Sequence, residues 1–530
     1  MSGIAFEWLA DFLAELEAGR VRFRQDEGQD LPPAKCIVIE PIDWGRAARQ
    51  AATFGCRWAG VWGDHRAEEI VINCMLEHQG DYLLLRASIT DKAPQLSSQT
   101  PYYPAADRME RRLHDLLGVV FIDHPDKRRW IRHQAWGEGE FPLRNDYPLA
   151  GEPQADTPPD GDYPFQRIEG SGVYEIPVGP VHAGIIEPGH FRFQAVGEDV
   201  LRLEQHLGYV HKGIEKLAVG RDTDGLARLA GRVSGDSTVA HTWAACQAME
   251  RAAGIEIPRR ALVYRAILAE RERIANHLGD IGGICNDVGF AFAQYQFTRL
   301  REDWLRHNRQ MFGHRLLMDC VVPGGVCVEL HDEDIDLMQG AHPQLRKELQ
   351  GLYAVLNDHS SLEDRLLTAG FLGQETAARL GVLGYIGKAS GQEFDVRRDN
   401  PYAPYDVFSA SVPVLTQGDV AARMQVRMWE ILASMDLIDT MLEALPDTPL
   451  RTAWQTSPEG AEGLGMIEGW RGEIICHVRF GADGRIARFF PRDPSWFAWP
   501  ALEQIVLNNI VPDFPVCNKS VNGSYSGHDL

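Results

Sequence analysis

Arg273, His277 and Asp280 stand at i, i+4 and i+7 of one helical run, so a guanidinium, an imidazole and a carboxylate share a face. Such a face serves either as a proton path or as a buried hydrogen-bonded network, and the structural network is the commoner outcome. Soft-metal chemistry needs thiols. The nine cysteines are Cys36, Cys56, Cys74, Cys246, Cys285, Cys320, Cys327, Cys476 and Cys517, no two closer than seven positions. Without a Cys-x-x-Cys they form neither a local iron–sulfur or zinc site nor a secreted disulfide framework, and they read as small buried hydrophobes. No Gly-x-Gly-x-x-Gly follows a strand and opens a helix, which argues against nicotinamide binding by this chain.

These residues need elements to position them. Leu149 to Phe165 holds four prolines, two glycines and four acids without apolar periodicity, so residues 151–165 read as a linker. Residues 1–150 before it read as a small α+β domain. Leu9, Phe12, Leu13 and Leu16 repeat at helical spacing with Gly19 as the stop, Cys36 to Glu40 and Tyr82 to Thr90 read as strands, and Asp107 with Glu110 predicts a capped helix ending at Gly118. Residues 166–530 are richer in helix. Pro258 opens a run to about Gly279, and Met424, Met428, Ile431, Met435, Ile438 and Leu442 form one core stripe. Ile474 to Phe480 alternates and turns at Gly481–Gly484 into Ile486 to Phe490, a predicted hairpin. The turns Pro323-Gly-Gly325 and Gly282-Gly283 read as backbone devices.

The chain has 530 residues, 53 basic and 75 acidic, for a net charge of −22, and 44% hydrophobic content. That is a globular composition with ample core residues and more than one domain. The acidity makes nucleic acid and anionic lipid poor partners. No apolar run reaches the roughly 18 residues that span a bilayer, and the first residues are acidic rather than a basic leader, so neither a transmembrane segment nor a signal peptide is expected.

Read in order, several segments resemble one family. Met109-Glu-Arg-Arg-Leu-His-Asp-Leu-Leu-Gly118 and His124-Pro-Asp-Lys-Arg-Arg129 are similar to the 30 kDa subunit of respiratory complex I. Val178-Gly-Pro-Val-His182, Glu187-Pro-Gly-His-Phe-Arg192, His211-Lys-Gly-Ile-Glu-Lys216, Glu270 to His277, Pro323-Gly-Gly325, Lys388-Ala-Ser-Gly391, Asp395-Val-Arg397 and Gly418 to Arg423 resemble the 49 kDa subunit. They also resemble the large subunits of energy-converting, formate-hydrogenlyase-type nickel–iron hydrogenases. The resemblance implies an α+β, 30 kDa-like domain followed by a mainly α hydrogenase-large-subunit or 49 kDa-like domain with small β-elements.

The chain departs from that family where its chemistry lies. The hydrogenases hold nickel and iron with four thiolates from two Cys-x-x-Cys pairs, because soft sulfur suits that metal pair. At the first pair this sequence has Ser234-Gly-Asp-Ser237, and at the second Ser524 to Gly527. All four thiolates are gone, so the resemblance implies no metal or other cofactor in this chain. The quinone-reducing relatives carry a tyrosine where Gly235 stands. Their histidine is matched by His190 or His182, and its supporting aspartate by Asp287, which leaves a possible proton relay. Glu187, Gly235, Asp236, His241, His528 and Asp529 would line the former metal cavity. Ser524, Ser526, His528 and Asp529 would either bind a hard ion there or fill it with hydrogen bonds, the second being favoured. His211 and Lys212 fall near the partner's cluster in relatives, or serve an interface.

The family implies a multisubunit assembly on the cytoplasmic face of the cell membrane. Its partners would be a small subunit carrying iron–sulfur clusters and membrane-embedded, antiporter-like subunits that move ions. Two functions stay open: an oxidoreductase subunit coupling electron transfer to ion translocation, and a non-redox coupling or scaffolding subunit. Hydrogen turnover is not expected of either.

Overall fold

The computed structural model describes residues 6–133, 136–151, 163–182 and 186–530. The linker expected at 151–165 lies mostly outside the described residues.

Near-continuous apolar runs, buried on both faces, build the N-terminal sheet. Its five strands run in the order Phe23–Gln25, Ala34–Ile39, Asp81–Thr90, Glu69–His78 and Arg57–Arg66. All neighbours are antiparallel except Ala34–Ile39 and Asp81–Thr90, which pair in parallel. Helices Leu9–Ala18, Trp44–Phe54 and Asp107–Leu117 pack with it. The first helix ends through Arg20, which takes the left-handed conformation expected of Gly19. The capping box expected at Asp107 does not form: Glu110 is buried and accepts from Ser98 Oγ, the Gln99 N–H and Thr100 Oγ1 instead.

The C-terminal part is built on long helices, chiefly Thr238–Ala253, Arg259–Asp287, Ala291–Phe312, Asp332–Asn357 and Val420–Glu443. The helix opened by Pro258 runs through Gly279 to Asp287. Gly282 and Gly283 are therefore helical rather than a turn, and a Cβ on Gly282 would sit 3.2 Å from Phe297 Cβ of the next helix. Within the core stripe of Val420–Glu443, Met424 is half-buried and the other five residues are buried.

Two three-stranded antiparallel sheets complete this part. Val173–Val178, His190–Val196 and Asp199–His206 form one, with His190–Val196 in the middle. Glu462–Gly469, Gly472–Phe480 and Ile486–Arg492 form the other, so the predicted hairpin carries a third strand. That strand lies directly on helix Thr238–Ala253: a Cβ on Gly465 would come within 1.9 Å of the Ala244 carbonyl, and one on Gly463 within 2.1 Å of the Ala248 carbonyl. Only glycine permits this approach.

The last sheet also joins the two parts of the chain. Trp62 stacks on Phe490 with ring centroids 5.3 Å apart, and Arg479 forks onto Asp64 at 2.6 and 2.8 Å. Arg57 reaches buried Glu473 at 2.7 Å, which also receives Tyr82 Oη and Arg492. Arg108 and, within the Met109–Gly118 signature, Arg112 work the same seam, Arg108 pairing with Glu503 at 2.7 Å and Arg112 with Glu215.

A closed serine site

Ser234, Gly235, Asp236 and Ser237 make the tight turn that opens helix Thr238–Ala253. The tail returns to it through helix Phe514–Val521, a left-handed turn at Asn522, and the short helix Tyr525–Asp529. The two segments meet by contact. Ser234 Oγ donates to Asp236 Oδ1 at 2.6 Å and lies 2.9 Å from Ser524 Oγ. Since Ser234 spends its one hydrogen on Asp236, Ser524 donates to Ser234, and Ser524 Oγ accepts the Gly527 N–H at 2.9 Å. Ser524 also receives Ser526 at a long 3.4 Å. Ser234, Ser237, Ser524 and Ser526 are all buried.

Every donor in this line points at Asp236. Arg471 forks onto that carboxylate at 2.9 and 2.6 Å, reaches Ser237 Oγ at 3.1 Å, and donates to the Asn522 carbonyl at 2.8 Å. Although burial pushes the Asp236 carboxyl up, Arg471 and the Ser234 hydroxyl outweigh it and hold the group below its ordinary range. On the other side, His241 Nε2 and Asp493 Oδ2 are 2.8 Å apart, both fully buried. Gly527 packs against this pair, because a Cβ there would lie 2.7 Å from Asp493 Oδ2.

The tail is tied down by backbone groups. Asp529 accepts the N–H groups of Gly208 and Val210 at 2.9 and 3.0 Å. His528 bonds Asp529 Oδ1 at 2.9 Å and stacks on Trp496 at 4.1 Å. Glu187 accepts the Ser526 N–H at 3.1 Å. His211 Nδ1 meets the Asp529 carbonyl at 2.7 Å, and Lys212 Nζ donates to the carbonyls of Arg232 and Val233 at 2.7 and 2.9 Å. Those two residues thus join the tail to the serine turn.

The four positions that the resemblance sets against nickel–iron thiolates gather at one place, as three hydroxyls and a glycine. Hydroxyls are hard, high-pKa ligands and the glycine offers none, so the donor set does not suit nickel and iron. The Ser234 and Ser524 hydroxyls also touch each other directly. Among the described residues, no group of three or more His, Cys, Asp or Glu is arranged to hold a metal ion.

Of the three relay residues, His182 and His190 sit about the adjoining Gly179 and Gly189 backbones, and Asp287 stands at a helix end. His190, at the start of its strand, bonds the Gly179 carbonyl at 3.2 Å and accepts from Arg192 at 3.3 Å. His182 bonds the Gly189 carbonyl at 2.8 Å. Asp287 ends the long helix, where Asn286 donates to it at 3.3 Å and burial outweighs Asn286 and Lys519 to raise its carboxyl. No hydrogen bond or ion pair joins either histidine to Asp287 among the described residues.

The helix face of Arg273, His277 and Asp280 resolves into a buried ionic network. His277 Nε2 lies 2.6 Å from Glu430, which also takes Lys388 at 2.7 Å. Lys388 bonds Asp395 at 2.7 Å, and Arg397 bridges Asp395 and Glu270 at 2.8 Å each. Arg273 donates to Glu270 and to the carbonyls of Glu468 and Gly469. Asp280 accepts Asn522 at 2.7 Å beside Arg427, which links the network to the tail. Arg471, Asp493 and Glu430 were not legible as site residues, because they come from distant segments with no local spacing.

A model of the 30 Kd subunit of respiratory-chain NADH dehydrogenase matches residues 40–153, and one of its 49 Kd subunit matches residues 287–458. A nickel-dependent hydrogenase model matches residues 212–279. Formate hydrogenlyase subunit 5 of Escherichia coli (strain K12) is 32% identical over 450 residues, 84% of this chain and 79% of that protein. The NADH-quinone oxidoreductase C/D subunit of Bacteroides fragilis is 30% identical over 479 residues, 87% of this chain and 88% of that one. A chain in the structure of the membrane-bound sulfane sulfur reductase, an archaeal respiratory membrane complex, aligns at 25% identity with a TM-score of 0.64. The alignment covers 68% of this chain and 99% of that one. Among the described residues, no helix is long and apolar enough to cross a membrane. The chain belongs to the family of fused 30 Kd and 49 Kd-type subunits that unites the C/D subunits of NADH-quinone oxidoreductase with the large subunits of formate-hydrogenlyase-type hydrogenases.

Proposed function

We propose that this chain is the large subunit of a membrane-attached complex of the complex I and hydrogenase type, and that it works there without a nickel–iron centre. The observation that carries the reading is the 2.9 Å contact between Ser234 and Ser524 hydroxyls, backed by Asp236 and Arg471. A site so closed serves as a structural joint. In this reading the subunit contributes a rigid buried charge network to the coupling of electron transfer and ion translocation, while the iron–sulfur chemistry belongs to a small partner subunit. The antiporter-like partners lie in the membrane, and this chain sits on their cytoplasmic face.

A second reading is favoured by the likeness to the sulfane sulfur reductase complex: electrons from the partner's cluster pass through this subunit to an acceptor. The test is metal analysis of the natively purified complex, hydrogen uptake on the same sample, and electron-transfer rates for Ser234→Ala and His190→Ala. No nickel, no hydrogen turnover and unchanged rates in both variants are expected. Nickel near one per chain with hydrogen turnover would overturn the proposal, and a loss of rate in either variant would favour the second reading.

A further inference from the structure

Two cysteines outside the serine site face each other across the smallest ribbon of the fold. Strands Val321–Val322 and Gly325–Val326 pair Val321 with Val326 and Val322 with Gly325. One step outward in the same register, Cys320 stands opposite Cys327, whose N–H donates to the Cys320 carbonyl at 3.0 Å. Opposed residues of an antiparallel ribbon carry their side chains on one face, with Cα atoms about 5.5 Å apart in a hydrogen-bonded pair. A disulfide spans about 4.4 to 6.8 Å between Cα atoms. Cys327 Sγ lies 3.6 Å from the Cys320 carbonyl oxygen and donates to the Asp319 carbonyl at 3.0 Å.

The ribbon is pinned near its turn. Gly324 turns it at φ 85°, and Arg265 donates to the Val322 and Gly325 carbonyls while pairing with Glu250. Closing the bond takes side-chain rotation together with a small approach of the two Cβ atoms, which a disulfide holds about 3.5–4.5 Å apart. The thiols also differ in access: Cys327 is exposed, whereas Cys320 is buried and its thiol is pushed up to about 12 by burial. An outside reagent meets Cys327 first.

We infer that Cys320 and Cys327 form a reversible dithiol–disulfide pair that exchanges with a low-molecular-weight disulfide. The Cys327 thiolate attacks one sulfur of R–S–S–R and expels the first RS⁻, leaving a mixed disulfide on Cys327. The Cys320 thiolate then attacks Cys327 Sγ and expels the second. The two thiol protons go to the two departing RS⁻ groups, so the chain is oxidised by two electrons and R–S–S–R is reduced to two RSH. Oxidation takes the Cys327 thiol from the Asp319 carbonyl. The Asp319 carboxylate forks onto Arg232 at 3.0 and 2.7 Å, two residues before Ser234, so the pair adjoins the serine turn.

The natively purified complex is incubated with oxidised glutathione, free thiols are blocked with iodoacetamide, and peptides are mapped without reduction. Both cysteines fall in one tryptic peptide, residues 316–346. The expected product is that peptide unlabelled and lighter by two hydrogens, reverting to double labelling after dithiothreitol. Cys320→Ser is expected to stop at a glutathione adduct on Cys327, and Cys327→Ser to leave Cys320 labelled. A wild-type chain that stops at the Cys327 adduct with Cys320 labelled, or that stays doubly labelled, would overturn the inference.

Discussion

The hydroxyls of Ser234 and Ser524, 290 positions apart in sequence, lie 2.9 Å from each other inside the protein. Ser234→Ala and Ser524→Ala should each cost about 1 kcal/mol, the net worth of a buried hydrogen bond. The double variant should cost less than the sum, since each single change already breaks the shared bond. Urea unfolding of the four proteins checks this. Strict additivity would mean that the two hydroxyls are energetically independent.

Gly527→Ala should destabilise by roughly 1–3 kcal/mol, the range for overpacking a filled core. The new methyl would stand 2.7 Å from Asp493, a partner of His241, and 2.9 Å from Ser524 Oγ. Thermal unfolding reads the cost, and a melting point equal to wild type would show that the tail can yield.

Lys388 Nζ neutralises Asp395 and Glu430 at 2.7 Å each and lies 3.7 Å from Glu468, all of them fully buried. Lys388→Met should lose about 3–5 kcal/mol, because it strands carboxylates in the interior. Chemical denaturation measures the loss. A variant within about 1 kcal/mol of wild type, the worth of a single exposed pair, would mean that water reaches the network.

Burial, against the N–H groups of Val239 and Ala240, raises Glu272 from its ordinary 4.5 to about 8. The folded chain therefore keeps a proton that the unfolded chain sheds, and folding stability falls as pH rises from about 4.5 to about 8. Glu272→Gln cannot titrate and should show a shallower fall over that window. Melting points taken across it, for both proteins, decide the matter; parallel curves would count against a raised carboxyl.

Much of this fold is legible where packing leaves a local rhythm. Ile474 to Phe480 alternates because one face of its strand packs on a helix while the other meets the N-terminal sheet through Glu473, His477 and Arg479, and Met428 to Leu442 repeats at helical spacing because its face is core. The strand Glu462–Gly469 escapes such reading because its glycines, which let Ala244 and Ala248 approach, erase the alternation. Glu110 misleads because a carboxylate three residues into a helix serves a cap or a distant hydroxyl equally well. The serine site is reached through a resemblance, whereas the pairs Asp236 with Arg471 and His241 with Asp493 depend on tertiary approach alone. His190 and Asp287 are joined only by analogy, and the geometry holds each with a different neighbour.

The seam between the N-terminal sheet and the rest buries Glu473 and Glu215, neutralised from across it by Arg57 and Arg112. Made as separate polypeptides, the halves would each carry ions that water must solvate until the mate arrives, and their union would weaken on dilution. One continuous chain removes that concentration dependence and fixes the ratio at one to one. Fusion thus lets the seam be as ionic as a domain interior while every copy of the subunit is assembled as soon as it is made.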